Sequence, residues 1–125
     1  MIVKFPNQPP ELDYGNREYK RLLKLNNRRS FESKATQMLY RIYEGNGNAL
    51  YLVGVDDNGR ISRIKYYWTK YIKKYLSRIK YPEIAETIEC LKEISKIIGA
   101  NIKKINIYRV DDTSYVSTLR ITKDI

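Results

Sequence analysis

Asn46-Gly47-Asn48-Ala49-Leu50-Tyr51-Leu52-Val53-Gly54-Val55-Asp56-Asp57-Asn58-Gly59 marks the centre of the architecture. Ala49 to Val55 is a nearly unbroken apolar run, short and rich in β-forming residues, with turn residues on both sides. A run this apolar needs cover on both faces, which predicts a central strand. Asp56-Asp57-Asn58-Gly59 supplies a tight turn at its exit, with Gly59 or Asn58 able to take positive φ. Two carboxylates therefore stand at the end of the most buried strand. They either shape the turn or act as ligands, and turn chemistry alone already favours Asp here.

Upstream, Ser30 is placed to cap a helix in which Phe31, Ala35, Met38, Leu39, Ile42 and Tyr43 recur at helical spacing, with Gly45 as its C-cap. Before it, Arg17 to Leu25 alternates as a strand, and Asn26-Asn27-Arg28-Arg29 forms a basic loop. Met1 to Pro10, with Pro6, Pro9 and Pro10, is predicted to be an extended arm. Downstream, Ile61 to Ile64 is a short amphipathic piece. Pro82 opens a helix in the N1 position, with Glu83 and Glu86 complementing its dipole. Ile84, Ile88, Leu91, Ile94, Ile97 and Ile98 form its apolar face, and Gly99 ends it. Ile102 to Val110 and Tyr115 to Ile121 form a hairpin across Asp111-Asp112-Thr113-Ser114. The expected architecture is a single α+β domain spanning residues 1–125, with a mixed sheet of about four strands and two to three helices.

Lys65 to Tyr81 differs in composition from the rest. Trp68, Ile72, Leu76 and Ile79 fall on one helical stripe, surrounded by Lys65, Lys70, Lys73, Lys74, Arg78 and Lys80 and interleaved with tyrosines that include Tyr71 and Tyr75. The segment contains no acid. An amphipathic core helix with a solvated basic face accounts for part of this pattern. A helix built for stability alone would mix acids among its exposed bases, so a phosphate-tracking surface is the favoured reading, with the tyrosines available for stacking. Arg28 and Arg29 add to the candidate nucleic-acid contacts.

The chain has 125 residues, 42% of them hydrophobic and 30% charged, which is the composition of one globular domain. Its net charge of +10 points to an acidic partner, and nucleic acid is the commonest one. No apolar run approaches the ~20 residues of a membrane-spanning helix, and no signal peptide opens the chain, so a cytoplasmic protein without membrane contact is expected. The single cysteine, Cys90, excludes an internal disulfide and lies in a helical pattern as a small core residue. The absence of histidine removes imidazole acid–base chemistry, Ser-His and Cys-His pairs and His-ligated zinc. Any catalysis must use carboxylates, Lys, Arg, Tyr or a metal.

Two resemblances accompany these patterns. Pro9-Pro10-Glu11, Gly15-Asn16-Arg17-Glu18-Tyr19-Lys20, Ala35-Thr36-Gln37-Met38 and Glu44 through Gly59 resemble the N-terminal domain of elongation-factor-like translational GTPases of the GTP-binding-protein 1 and 2 type. Ile98-Gly99-Ala100 and the last hairpin fit as well. The resemblance implies a link to translation. No P-loop is present, so GTP binding by that family's route is not expected, and Lys65 to Tyr81 looks like an insertion. More remotely, a Glu-(aromatic)-Lys strand, a helix, and a strand ending Gly-Val-Asp-Asp-x-Gly resemble the Schlafen AlbA-type domain. That resemblance implies a metal-dependent endoribonuclease acting on tRNA or rRNA. The matching acids are Asp13, Glu18 and Asp56, with Asp57 beside the last. Asp13 replaces the expected glutamate, and a single lobe implies a homodimer.

Such carboxylates can hold Mg²⁺ or Mn²⁺ through oxygen ligands, and the metal would activate water at a phosphodiester. Lys20, two residues after Glu18, projects from the same strand face and is placed to contact a phosphate. The plainer alternative makes Asp13 a loop residue, Glu18 a surface ion-pair partner and Asp56 a turn former. The reading this favours is a dimeric, metal-dependent endoribonuclease acting on structured RNA, with a non-catalytic RNA-binding module attached to translation or to the ribosome as the alternative. A third reading is an AlbA-like DNA-coating protein.

Overall fold

The computed structural model describes residues 2–24, 28–68, 73–78, 81–112 and 114–125, with the backbone alone at 28, 63–68 and 73–78. The apolar run becomes β2 (Asn48–Val53), and it is flanked on both sides: β1 (Arg17–Lys20) pairs with it in parallel and β6 (Tyr115–Thr122) antiparallel. β5 (Asn101–Arg109) pairs antiparallel with β6, giving the sheet order β1-β2-β6-β5. The parallel pair requires a crossover, supplied by α1 (Phe31–Glu44). α2 (Tyr81–Ile97) packs beside it. This is the α+β domain with a mixed four-stranded sheet that the residue pattern implies.

Both helices lie on one face of the sheet. Met38 and Ile42 of α1, Ile84, Leu91 and Ile94 of α2, Tyr51 and Val53 of β2, and Leu119 and Ile121 of β6 form the main core with Cys90 among them. The opposite face carries a smaller cluster of Tyr19, Leu52 and Val55, against which Phe5 and Leu50 pack. The arm reaches that face at one end: Val3 N donates to Arg109 O at 2.8 Å, and Phe5 tilts against Tyr108.

The expected strand Arg17–Leu25 ends at Lys20, and Leu25 lies outside the described residues, as do Asn26 and Asn27. Leu22 and Leu23 both pack against the main core, which adjacent residues of a flat strand cannot do. Leu23 N instead donates to Thr87 Oγ1 of α2 at 3.0 Å.

The larger departure is Lys65–Tyr81. It is not a helix. β3 (Arg63–Trp68) and β4 (Lys73–Arg78) pair antiparallel as a two-stranded ribbon outside the main sheet, and Tyr81 begins α2. Register places Trp68 opposite Lys73 and Leu76 opposite Lys65, so the two residues of the supposed helical stripe occupy different faces of the ribbon. Aromatic residues favour strands, and 63–68 also reads with period 2. The helical spacing was a coincidence of a short, tyrosine-rich segment. Ile61 falls in an isolated bridge with Val55 rather than in an amphipathic piece.

Candidate functional site

The junction of β1, the arm and α1 is where charge enters the core. Glu18 faces the helices from β1, next to Tyr51 in register, and is only 2% exposed. Its Oε1 accepts a bond from Arg41 Nε at 2.9 Å, and its Oε2 lies 3.3 Å from Lys20 Nζ. Arg41 is itself buried on α1. Its Nη1 donates to the carbonyls of Tyr14 at 3.0 Å and Gly15 at 2.9 Å, and its Nη2 to that of Leu12 at 2.7 Å. One guanidinium thus holds β1 and the loop before it against α1, with each of its three nitrogens engaged. Lys20 donates to Gln37 of α1. Burial pushes the Lys20 ammonium below the ordinary lysine range, and the charge of Glu18 opposes that shift.

Glu11 joins the junction from the arm. Its Oε2 accepts from the Tyr19 backbone N–H, and Tyr19 Oη donates to Pro9 O at 2.7 Å. Desolvation raises the Glu11 carboxyl above the ordinary glutamate range, with the charges of Glu18 and Asp57 adding to the rise and the Tyr19 N–H opposing it. Burial raises Tyr51 in the same region, and its hydroxyl is buried without a hydrogen-bond partner.

The acids Asp13, Glu18 and Asp56 do not share an environment. Asp13 is exposed, and its carbonyl accepts from Tyr40 Oη at 3.1 Å. Asp56 accepts from Ser62 Oγ and lies 3.8 Å from Arg21 Nε. It shapes the turn: Gly59 N donates to Asp56 O at 2.8 Å, and Asp56 N donates to Arg60 O at 2.8 Å. Gly59 takes the positive φ, +88°. Asp57 is exposed, and its carbonyl accepts from Glu11 N at 2.7 Å, which fastens the arm. Among the described residues no group of three His, Cys, Asp or Glu side chains is placed to hold a metal ion. As arranged, the donors do not fit Mg²⁺ or Mn²⁺, because Glu18 is enclosed and committed to two cations and Asp56 to Ser62 and Arg21. Lys20 does share the Glu18 face, but its ammonium turns to Glu18 and Gln37.

Of the candidate nucleic-acid contacts, Arg29 is exposed. Lys65, Lys73, Lys74, Tyr75 and Arg78 are placed by backbone register on the β3–β4 ribbon, and Arg28 by backbone in a short 3₁₀ turn. Lys70, Tyr71 and Lys80 lie outside the described residues. Glu11 and Arg41 were missed in the sequence. Arg41 adjoins Met38 and Ile42 on the apolar stripe of α1, and a charge at such a position signals a buried partner. Glu11 sits in a proline-rich arm and gives no comparable signal.

The chain is similar to part of a much larger protein. It is 32% identical to GTP-binding protein 2 of Mus musculus over 111 residues, 89% of this chain and 16% of that protein. It is also 32% identical to GTP-binding protein 2 of Homo sapiens over 106 residues, 85% of this chain and 15% of that protein. The chain spans about a sixth of the length of these curated relatives. No protein-family model matches it, and no solved structure matches it. No described helix is long and apolar enough to cross a membrane.

Proposed function

We propose that this chain is a non-catalytic RNA-binding module that engages structured RNA of the translation apparatus, tRNA or rRNA, in the cytoplasm. The observation that carries the reading is the β3–β4 ribbon. Residues 63–80 contain seven Lys or Arg and no acid. Register assigns Arg63, Lys65, Tyr67, Lys74, Leu76 and Arg78 to one ribbon face and Ile64, Tyr66, Trp68, Lys73, Tyr75 and Ser77 to the other. A two-stranded ribbon whose faces both carry cations and aromatic residues suits a phosphate backbone with exposed bases stacked beside it. The resemblance to translational GTPases supports the choice of RNA, with the ribosome as a candidate partner. The GTP binding named for the relatives is not carried over, since these residues contain no P-loop.

Cleavage by a dimeric, metal-dependent endoribonuclease is the second reading, resting on the Schlafen-type resemblance. The enclosure of Glu18 by Arg41 and Lys20 favours binding over it. The test is incubation of the protein with total tRNA and rRNA, with and without Mg²⁺ or Mn²⁺, followed by gel shift and denaturing electrophoresis. Shifted but intact RNA is the expected result. Discrete metal-dependent fragments, lost in a folded Glu18→Gln variant, would establish the nuclease instead. Failure to shift either RNA at low salt would remove both.

A further inference from the structure

The sheet face turned away from the helices carries the small apolar cluster on which Phe5 of the arm packs, and beside it a row of cations. Partners in register share a face, so Arg17 of β1, Leu50 of β2, Arg120 of β6 and Lys104 of β5 form one row across the whole sheet. Arg17, Arg120 and Lys104 are all exposed. The row spans three inter-strand spacings, about 14 Å. Arg120 and Lys104 stand directly opposite each other, an arrangement that destabilises a sheet unless something offsets it. No strand position on this face is Asp or Glu; the one acid in the four strands, Glu18, faces the helices. The hydrogen bonds of the row go to neutral amides: Arg120 Nε and Nη2 donate to Asn48 Oδ1 at 3.2 and 3.0 Å, and Arg17 Nη2 donates to Gln8 Oε1 at 3.3 Å.

The row ends at a groove. Beside Arg17, the arm and the loop after it enclose a cavity of about 360 Å³ whose walls include Pro9, Pro10, Leu12, Tyr14 and Tyr19. Tyr19 is held by its bond to Pro9 O, whereas Tyr14 is 65% exposed and Leu12 54% exposed. Rings and prolines beside a cation form the kind of surface on which an unstacked base is held by its face, with its phosphate on the neighbouring guanidinium.

We propose that this face is a second nucleic-acid contact, separate from the ribbon, in which single-stranded RNA lays its backbone along Lys104, Arg120 and Arg17 and places one unpaired base in the Tyr14 groove. The inference rests on the RNA-binding reading. Because the groove is mainly apolar, the base is held by stacking and the preference among bases is weak.

The test measures binding of a fluorescein-labelled oligouridine and a duplex RNA of the same length across a salt series, using the full chain. Tyr14→Ala is expected to weaken oligouridine about tenfold and leave the duplex unchanged, since a paired base cannot enter the groove. Lys104→Ser with Arg120→Ser is expected to weaken oligouridine and lower its salt slope by about two. All three residues are exposed, and unchanged thermal melting will show that the variants fold. As a second measurement, a photoreactive 4-thiouridine strand is expected to crosslink within the peptide that carries Tyr14. If the wild type binds oligouridine, and only Lys73→Ser with Lys74→Ser weakens it, the ribbon reading stands and this one is overturned. If the wild type binds no RNA, both fall. If Lys104→Ser with Arg120→Ser abolishes binding to anionic phosphatidylserine vesicles and spares RNA, the face belongs to a lipid surface and the proposal is likewise overturned.

Discussion

Arg41 Nε and Glu18 Oε1 meet at 2.9 Å inside the protein, 23 residues apart in the chain, with the arginine also donating to three carbonyls of the loop before β1. The pair is an anchor: it fixes the parallel edge of the sheet and the base of the arm to the same helix. Its net energy is small, because desolvating both charges offsets most of their attraction, but breaking it exposes the full cost of one buried charge.

Glu18→Ala is therefore expected to destabilise the fold by about 3–5 kcal/mol, since Arg41 is left buried without its carboxylate. Glu18→Leu combined with Arg41→Met is expected to cost less than the sum of the two single changes. Urea denaturation of the four proteins in a double-mutant cycle measures this coupling. Additive costs would show that the pair is not an anchor.

Glu11 predicts a pH dependence of the opposite sign to that of an ordinary paired carboxylate. Desolvation raises its folded-state value above the unfolded one, so between the two the folded state holds more protons and stability falls as pH rises. Glu11→Gln keeps an acceptor for Tyr19 N–H without the charge. It is expected to raise Tm at neutral pH, with the gain vanishing as pH drops below the ordinary glutamate range. Melting curves from acid to neutral pH check it, and an equal gain at every pH would refute the linkage.

Two glycines are required by close approach. A Cβ on Gly45 would lie 1.8 Å from Asn48 O, although its φ of −98° suits any residue. The left-handed positions that turn the chain are instead Asn46 at φ 53° and Gly47 at φ 101°. A Cβ on Gly59, at φ +88°, would lie 2.0 Å from Gln8 O. Gly45→Ala is expected to cost well over about 1 kcal/mol by forcing α1 away from β2. Gly59→Ala is expected to loosen the arm, read as faster proteolysis within residues 4–10 at nearly unchanged core stability.

The ribbon predicts a salt signature. Lys73→Ser and Lys74→Ser are each expected to weaken tRNA binding and to reduce the slope of log affinity against log salt by about one. Titrations at several salt concentrations measure it. An affinity that does not vary with salt would contradict nucleic-acid binding through this surface.

Cys90 is expected to resist thiol reagents in the native protein, because its side chain is fully buried in the core. Its modification rate should rise only with denaturant, tracking global opening. Rapid reaction in buffer would place it outside the core.

Elements whose signal is local were legible in the residues alone. The Ala49–Val55 run is apolar on both sides of the pleat and became the flanked strand β2. The stripes of α1 and α2 recur every three or four residues and face one core. The two runs around Asp111-Asp112 pair as β5 and β6, and Gly59 takes the positive φ that its turn demands. Features that depend on partners far along the chain were not legible there. Residues 63–68 carry a period of two and part of a helical spacing at once, and pairing of β3 with β4 selected the first. Whether Glu18 is a ligand, a surface ion or a buried anchor depends on what α1 brings to it, and α1 brings Arg41. Asp13, Glu18 and Asp56 share a motif but not a place, because Glu18 faces the helices while Asp13 lies in the loop before β1 and Asp56 in a turn. Arg17, Arg120 and Lys104 share no spacing, yet strand register sets them in one row. Periodicity records which way a side chain points within its own element; register and crossover record which elements meet, and charge chemistry depends on the meeting.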